Sequence, residues 1–163
     1  MIERTLVLLK PDAVQRGVMG RIISRFEDAG LKIIGAKMVW VDEKFAQKHY
    51  FDVAERHGEK VLKILVGAIT EGPILALVLE GINAIENTRK LVGDTYPGRS
   101  LPGTIRGDFA HVTKEYSLAN DKPVKNLVHA SAKPEDAKIE LALWFTPKEM
   151  HTYKTVYDIH ILG

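Results

Sequence analysis

The run PILALVLEG (73–81) limits this chain more than any other stretch. Ile74 to Leu79 are all apolar, with Gly72-Pro73 on one side and Glu80-Gly81 on the other. That length suits a strand, and a strand apolar on both faces belongs in the centre of a sheet. The chain must therefore supply flanking strands and enough helix to cover them.

Further strand and helix signals follow in order. RTLVLLK (4–10) is a short apolar run stopped by Pro11, which reads as a buried strand. GRIISRFEDAG (20–30) puts Ile22, Ile23, Phe26 and Ala29 on one helical face, with Gly30 closing it. LKIIGAKMVWV (31–41) is β-branched and aromatic, hence a second strand. Asp42 can cap a helix running through Phe45, Ala46, His49, Tyr50 and Val53, and EKVLKILVGAI (59–69) is helical again. NAIENTRKLVG (83–93) reads as a helix with Asn83 and Glu86 as a capping-box pair and Gly93 as its stop. NLVHA is the last short strand. KPEDAKIELALWF (133–145) opens a helix at Pro134, with a short helix near TPKEM after it. The order β-α-β-α-α-β-α-β-α predicts an α+β fold of the ferredoxin-like, split βαβ kind. Its sheet is a four-stranded antiparallel one covered by helices on one face.

With 163 residues and no linker or repeat, a single domain over 1–163 is expected. No stretch approaches a membrane span, so no membrane association is expected. The absence of cysteine excludes disulfides and thiolate metal sites and points to a reducing interior, so a cytoplasmic location is expected. A net charge of +2 is too small to announce a nucleic-acid protein. The basic residues nevertheless gather near turn signals, at Lys10, Arg16, Arg21, Arg89, Arg99 and Arg106, a pattern that suits a small anionic ligand.

Several residues break their own pattern. Arg89 completes the apolar stripe of Ile82, Ile85 and Val92. It is either a snorkelling side chain or a guanidinium aimed at an oxyanion. Glu140 sits beside the stripe of Ala137, Leu141 and Trp144. Turned inward it needs a partner, and the imidazole of His129, just before this helix, is a plausible one; otherwise it is a solvated edge residue. His129 follows an apolar pair and precedes the small Ala130 and Ser131. Lys10 ends a strand where side chains enter a sheet-edge site. GTIRGD (103–108) brackets Thr104 and Arg106 with glycines that let backbone approach a ligand. The chain has no P-loop, dinucleotide fingerprint or nucleophile elbow. His49 and His57 lack metal-ligand spacing, so no dedicated metal site is expected, and His49, His57, His111, His151 and His160 read as surface or packing residues. The G-x-x-G in RGVMGRII (16–23) is the one feature of a KH-like RNA-binding module, and it leaves His129, Arg89 and Glu140 unexplained.

Together, ERTLVLLKPDAVQRG (3–17), HY (49–50), GDTYPGRSLPGTIRGDF (93–109) and NLVHAS (126–131) resemble the signature segments of the nucleoside diphosphate kinase family, in the family's order. The resemblance implies ping-pong transfer of the γ-phosphate of a nucleoside triphosphate, typically ATP, to a nucleoside diphosphate. His129 matches the phosphorylated histidine. Lys10, Arg89, Thr95, Arg106 and Asn126 match positions that hold phosphates and ribose. Tyr50 matches the tyrosine beside the nucleophile, and Ser131 and Glu140 the pair that surrounds and orients it. Mg²⁺ would bridge the nucleotide phosphates with few or no protein ligands, and a homo-oligomer, tetramer or hexamer, is implied. Two departures stand out. ERHGEKVLKIL has no aromatic where the family stacks the base, which leaves Val61, Leu62 or Phe51 for that contact. Residues 110–125 form a longer connector than the family pattern has. A catalytically inactive nucleotide-binding paralogue is the alternative that the missing aromatic raises.

Overall fold

Strands β1 (Ile2–Leu9) and β3 (Ile74–Ile82) pair antiparallel at the centre of a sheet. Strand β2 (Lys32–Val39) lies outside β3 and β4 (Val128–Ala130) outside β1, giving the order β2-β3-β1-β4. This is the ferredoxin-like α+β arrangement. The computed structural model describes residues 1–163.

Strand periodicity sorts the core into two layers. Leu6 and Leu8 point to one face, where they meet Ile34, Val66, Ile69 and Trp144; Val7 and Leu9 point to the other, with Ile22, Phe26, Leu79 and Val92. Helices therefore cover both faces, which corrects the one-face expectation. An apolar strand like β3 exposes too much on either side to leave one face wet. Helices α2 (Met19–Asp28) and α6 (Ala84–Val92) cover one face. The other is covered by α3 (Glu43–His49), α5 (Glu59–Thr70) and α9 (Pro134–Trp144). Short helices α1 (Pro11–Gln15), α4 (Val53–His57), α7 (Ile105–Phe109) and α8 (Lys114–Ala119) link them.

Some local signals act as read and others do not. Asp42 caps α3, its carboxylate accepting the Phe45 N–H at 2.7 Å. The single helix expected through Val53 is two: α3 ends at His49, and α4 begins at Val53. On α2, Ile22 and Phe26 are buried, whereas Ala29 lies past the last turn and is exposed. The Asn83–Glu86 capping box does not form, because Asn83 adopts a left-handed φ of +44°. The Glu3 carboxylate from β1 takes the Ile85 N–H instead, at 3.3 Å. The buried face of α6 is Ala84, Ile85, Thr88 and Val92, so Thr88 rather than Arg89 completes the stripe, and Ile82 lies exposed at the end of β3. Arg89 is exposed.

The stretch 93–125, poor in periodic signals, is organised by caps. The Thr104 hydroxyl accepts the Gly107 N–H at 3.0 Å to start α7, and Thr113 does the same for Tyr116 at 3.2 Å to start α8. Ion pairs Lys60–Asp121 (2.6 Å) and Lys125–Glu71 tie residues 121–125 to α5 and its exit. The G-x-x-G segment joins α1 to α2. Its flanking basic residues are engaged within the protein: Arg16 donates to the Phe109 carbonyl at 2.6 Å, and Arg21 lies over the Phe109 ring. After α9 the chain returns along the outer side of β2, where the His151 N–H donates to the Ile34 carbonyl at 2.7 Å and shields part of that free edge. No helix is long and apolar enough to cross a membrane.

Candidate active site

The approach to β4 is a tight turn. Val128 N–H donates to the Asn126 carbonyl at 2.8 Å, across Leu127 at φ +69°. A γ-turn with positive φ at a bulky residue is strained, and such strain persists only where the surroundings hold it. Leu127 is fully buried. Its N–H is accepted by the Asp12 carboxylate at 2.9 Å, and its carbonyl accepts the Lys10 N–H at 2.8 Å. The Lys-Pro-Asp segment after β1 thus clasps the turn that feeds the histidine.

Beyond the turn, Val128 and Ala130 pack into the α2–α6 core, so strand alternation turns His129 to the opposite face. Leu8 pairs with His129 across the sheet, and the extended backbone at Lys10 carries that lysine to the same side. His129 Nε2 lies 2.9 Å from Glu140 Oε1, and the Ser131 hydroxyl donates to Glu140 Oε2 at 2.6 Å. Ser131 Oγ also accepts the Leu6 N–H at 3.3 Å, so β1 and β4 fix it from one side and α9 from the other. Burial works against the Glu140 carboxylate, but hydrogen bonds from His129 and Ser131 outweigh it and hold its pKa below the ordinary range. An ionised carboxylate only accepts, so the proton between them belongs to His129 Nε2. A neutral ring then keeps its lone pair on Nδ1.

Three aromatics close the site. His49 lies edge-on to His129, ring centroids 4.7 Å apart and planes at 82°. The Trp144 indole N–H donates to His49 Nδ1 at 3.2 Å. His49, read from its spacing as a surface or packing residue, is buried and packs directly against His129. Burial, aided by the nearby His129, pushes its pKa down to about 3, so it is neutral. Tyr50 is held protonated by burial and the adjacent Glu140 charge. Both border a cavity of about 170 Å³ beside His129, together with Phe51, Asp52 and Asp136.

His49, His129 and Glu140 bring ligand-type atoms within 4.8 Å of one another. The donor chemistry opposes a metal there. An indole nitrogen only donates, so His49 Nδ1 is an acceptor and its ring proton sits on Nε2, where a metal would have to bind.

Around the turn lie the cationic and polar residues singled out from sequence. Arg106 is 8 % exposed. It donates to the carbonyls of Asn126 (3.1 Å), Gly93 (3.2 Å), Asp94 (3.1 Å) and Val128. Four of its five N–H groups are thus spent on backbone, leaving one. Burial, with the nearby Arg89 charge, lowers its pKa to about 10. The Asn126 amide donates to the Thr95 carbonyl at 2.8 Å, and Thr95 itself is exposed. Lys10 Nζ reaches the Val124 carbonyl at 3.5 Å. Burial lowers its pKa to about 8, against the pull of Asp12. Val61 stands apart on α5, 37 % exposed, and does not border the cavity beside His129. Sequence reasoning missed Asp12 and His49. Asp12 was within reach as a carboxylate following Lys-Pro, and His49 as an apolar-face histidine on α3.

A ferredoxin-like α+β sheet presenting a carboxylate-held histidine beside buried cations defines a phosphotransferase-type site. The nucleoside diphosphate kinase family model matches residues 3–150. A nucleoside diphosphate kinase from Pyrococcus horikoshii is 47 % identical over 157 residues, spanning 96 % of this chain and 93 % of that protein. One from Borreliella burgdorferi is 44 % identical over 156 residues, spanning 94 % and 93 %. Among solved structures, a transition-state mimic of the Borrelia burgdorferi enzyme with bound vanadate and ADP superposes with TM-score 0.93 at 43 % identity, covering 96 % of this chain and 95 % of that one. An NDP kinase from Pyrobaculum aerophilum gives 0.86 at 34 % identity, covering 93 % and 100 %. The chain belongs to the nucleoside diphosphate kinase family, enzymes that transfer phosphate to nucleoside diphosphates.

Proposed function

We propose that this chain carries the γ-phosphate of a nucleoside triphosphate, typically ATP, to a nucleoside diphosphate through a phosphohistidine on Nδ1 of His129. The observation that supports this reading most is the 2.9 Å contact of His129 Nε2 with the Glu140 carboxylate, which assigns the ring proton to Nε2 and leaves Nδ1 without a hydrogen bond within the protein. In the first half-reaction the Nδ1 lone pair forms the N–P bond. The bond to the bridging oxygen breaks, and its electron pair leaves with the diphosphate. The second half-reaction reverses this toward a new diphosphate. Such a transfer needs positioning and charge neutralisation more than covalent help. Glu140 and Ser131 orient the ring, and Glu140 stabilises the positive charge that the ring gains on phosphorylation. Lys10, Arg89 and the remaining N–H of Arg106 face the phosphates. Thr95 and Asn126 hold phosphate and ribose, Tyr50 shapes the floor, and Val61 gives aliphatic contact to the base.

The family is in general metal-dependent, and Mg²⁺ suits this site as a companion of the nucleotide. Asp12 and Asp94 each have one oxygen engaged, by Leu127 N–H and by Tyr96 N–H at 2.8 Å, so the metal would be held chiefly through the phosphates, whose charge it would offset. We also assign the chain to a single domain over 1–163 with residues 110–125 as an added connector, to a cytoplasmic homo-oligomer, tetramer or hexamer, and to no specific nucleic acid. The exposed Met38 and Trp40 at the end of β2 favour self-association.

Incubation with ATP labelled at the γ-phosphate, followed by a denaturing gel, tests the reading. The chain should retain label that survives alkali and is lost in acid, and adding a nucleoside diphosphate should discharge it. His129→Gln should take up none. Label stable to acid, or retained by the variant, would show that a different group attacks.

A further inference from the structure

One hydrogen bond fixes a point on an imidazole but not its plane. Through Nε2–H alone, His129 could twist about the axis toward Glu140, and Nδ1 would sweep an arc. His49 closes that freedom. Its ring meets His129 at 82° with centroids 4.7 Å apart, so the edge of one ring bears on the face of the other. His49 is itself held: it is 6 % exposed, and Trp144 donates to its Nδ1 at 3.2 Å. Trp144 is braced in turn by Phe45, edge-on at 4.9 Å. The His49 Nε2–H is buried with no hydrogen-bond acceptor, an arrangement usually costly enough to be avoided. An aliphatic residue would fill the same space without that cost, so packing alone does not account for a histidine here.

We propose that His49 is a positioning residue that fixes the ring plane of His129, so that Nδ1 alone is presented for phosphorylation. Trp144 sets the tautomer and orientation of His49. The inference rests on His129 being the phosphorylated nucleophile. Because His49 is neutral down to about pH 3, it brings no second cation to compete for Glu140 or repel the charged phosphohistidine. Aromatic pairs prefer this edge-to-face geometry.

The test uses the full-length chain with His49→Ala, His49→Phe and Trp144→Phe, singly and combined. In wild type, ³¹P NMR of the phosphorylated protein should show one phosphohistidine isomer, on Nδ1. In His49→Ala the ring should wander. A second isomer should grow in, kcat should fall roughly 10- to 100-fold, as for sub-ångström to ångström misplacement, and KM should stay within about twofold. His49→Phe, which restores the edge, should recover isomer purity. Trp144→Phe, which removes the indole N–H along with part of the ring, should give an intermediate defect that is not additive with His49→Ala. ¹⁵N spectra of the unphosphorylated proteins report the His129 tautomer without any turnover. If wild type takes up no phosphate on His129, the underlying reading fails. If wild type is phosphorylated on Nδ1 and His49→Ala keeps one isomer with kcat within about twofold, the positioning role is overturned and the reading stands. Should His49→Ala fail to fold, the same isomer ratio in His49→Phe and Trp144→Phe decides the question.

Discussion

Asp12 and Leu127 stand 115 positions apart in sequence, yet the Asp12 carboxylate accepts the Leu127 N–H at 2.9 Å. That contact holds a buried, positive-φ leucine two residues before the histidine. Asp12→Ala leaves this N–H unpaired and releases the turn. The expected loss is about 1.5–3 kcal/mol of stability, the range for hydrogen bonds to charged groups, together with a fall in kcat. Denaturant titration beside steady-state kinetics checks it. A variant of native stability and rate would remove Asp12 from the architecture of the site.

Arg106 and Arg89 should separate cleanly, although both were singled out as phosphate ligands. Arg106 spans four backbone carbonyls, so Arg106→Ala strands buried acceptors and should cost roughly 2–4 kcal/mol of folding stability as well as activity. Exposed Arg89 should lose activity alone, with thermal stability within about 0.5 kcal/mol of wild type. Equal destabilisation by the two substitutions would contradict this division.

The lowered pKa of Lys10 makes an alkaline prediction. With a value of about 8, the ammonium is present below that pH and is lost as pH rises through it. KM for a nucleoside diphosphate should therefore climb above pH 8. Lys10→Arg, whose charge persists, should flatten that limb. On the stability side, the native state sheds this proton near 8 and the unfolded chain only near 10.5, so the Lys10 contribution to stability rises with pH between those values. A pH-independent KM from 7 to 9.5 would refute the first part.

His49 predicts the acid side. Its folded pKa of about 3 lies below the ordinary 6.5, so its stabilising contribution is full above 6.5 and is lost progressively as pH falls toward 3. His49→Phe should have a shallower loss of stability between pH 6.5 and 4 than wild type. Identical slopes in urea titrations across that window would show that His49 protonates freely in the folded state.

Val61 stands on α5 away from the His129 cavity, so a base resting on it lies apart from the phosphate end of the site. An aromatic there should add stacking, worth roughly 1–3 kcal/mol per base in nucleic-acid proteins. Val61→Phe should tighten ADP and GDP binding alike in calorimetric titrations. No gain for either would place the base elsewhere.

What the sequence revealed, and what it hid, follows the range of each interaction. Asp42 as a cap and Gly93 as a stop depend on residues three or four positions away, and both were legible. The cap of α6 was not, because the acceptor for Ile85 N–H is Glu3, on another strand. Arg89 was misplaced for a related reason. A stripe counted from Ile82 assumes helix where the chain is still strand, and α6 begins only at Ala84. The Lys-Pro-Asp segment was seen as the end of a strand, while its partner turn lay more than a hundred residues downstream. His49 was discounted by metal-ligand spacing, a test blind to a contact made through the edge of a ring.

The pairing of β1 with both β3 and β4 has a consequence in time. Leu6 meets Val78, and Leu8 meets His129, so the site closes only when segments far apart in the chain have found each other. Non-local antiparallel pairing is among the slowest events in folding. The Leu127 turn is strained and is held by Asp12 and Lys10 at the end of β1 and by Arg106 from α7, so a half-folded molecule holds no histidine in reactive pose. Competence to take up phosphate is therefore gained in the last steps of folding, and during refolding the label should lag behind the return of helical signal.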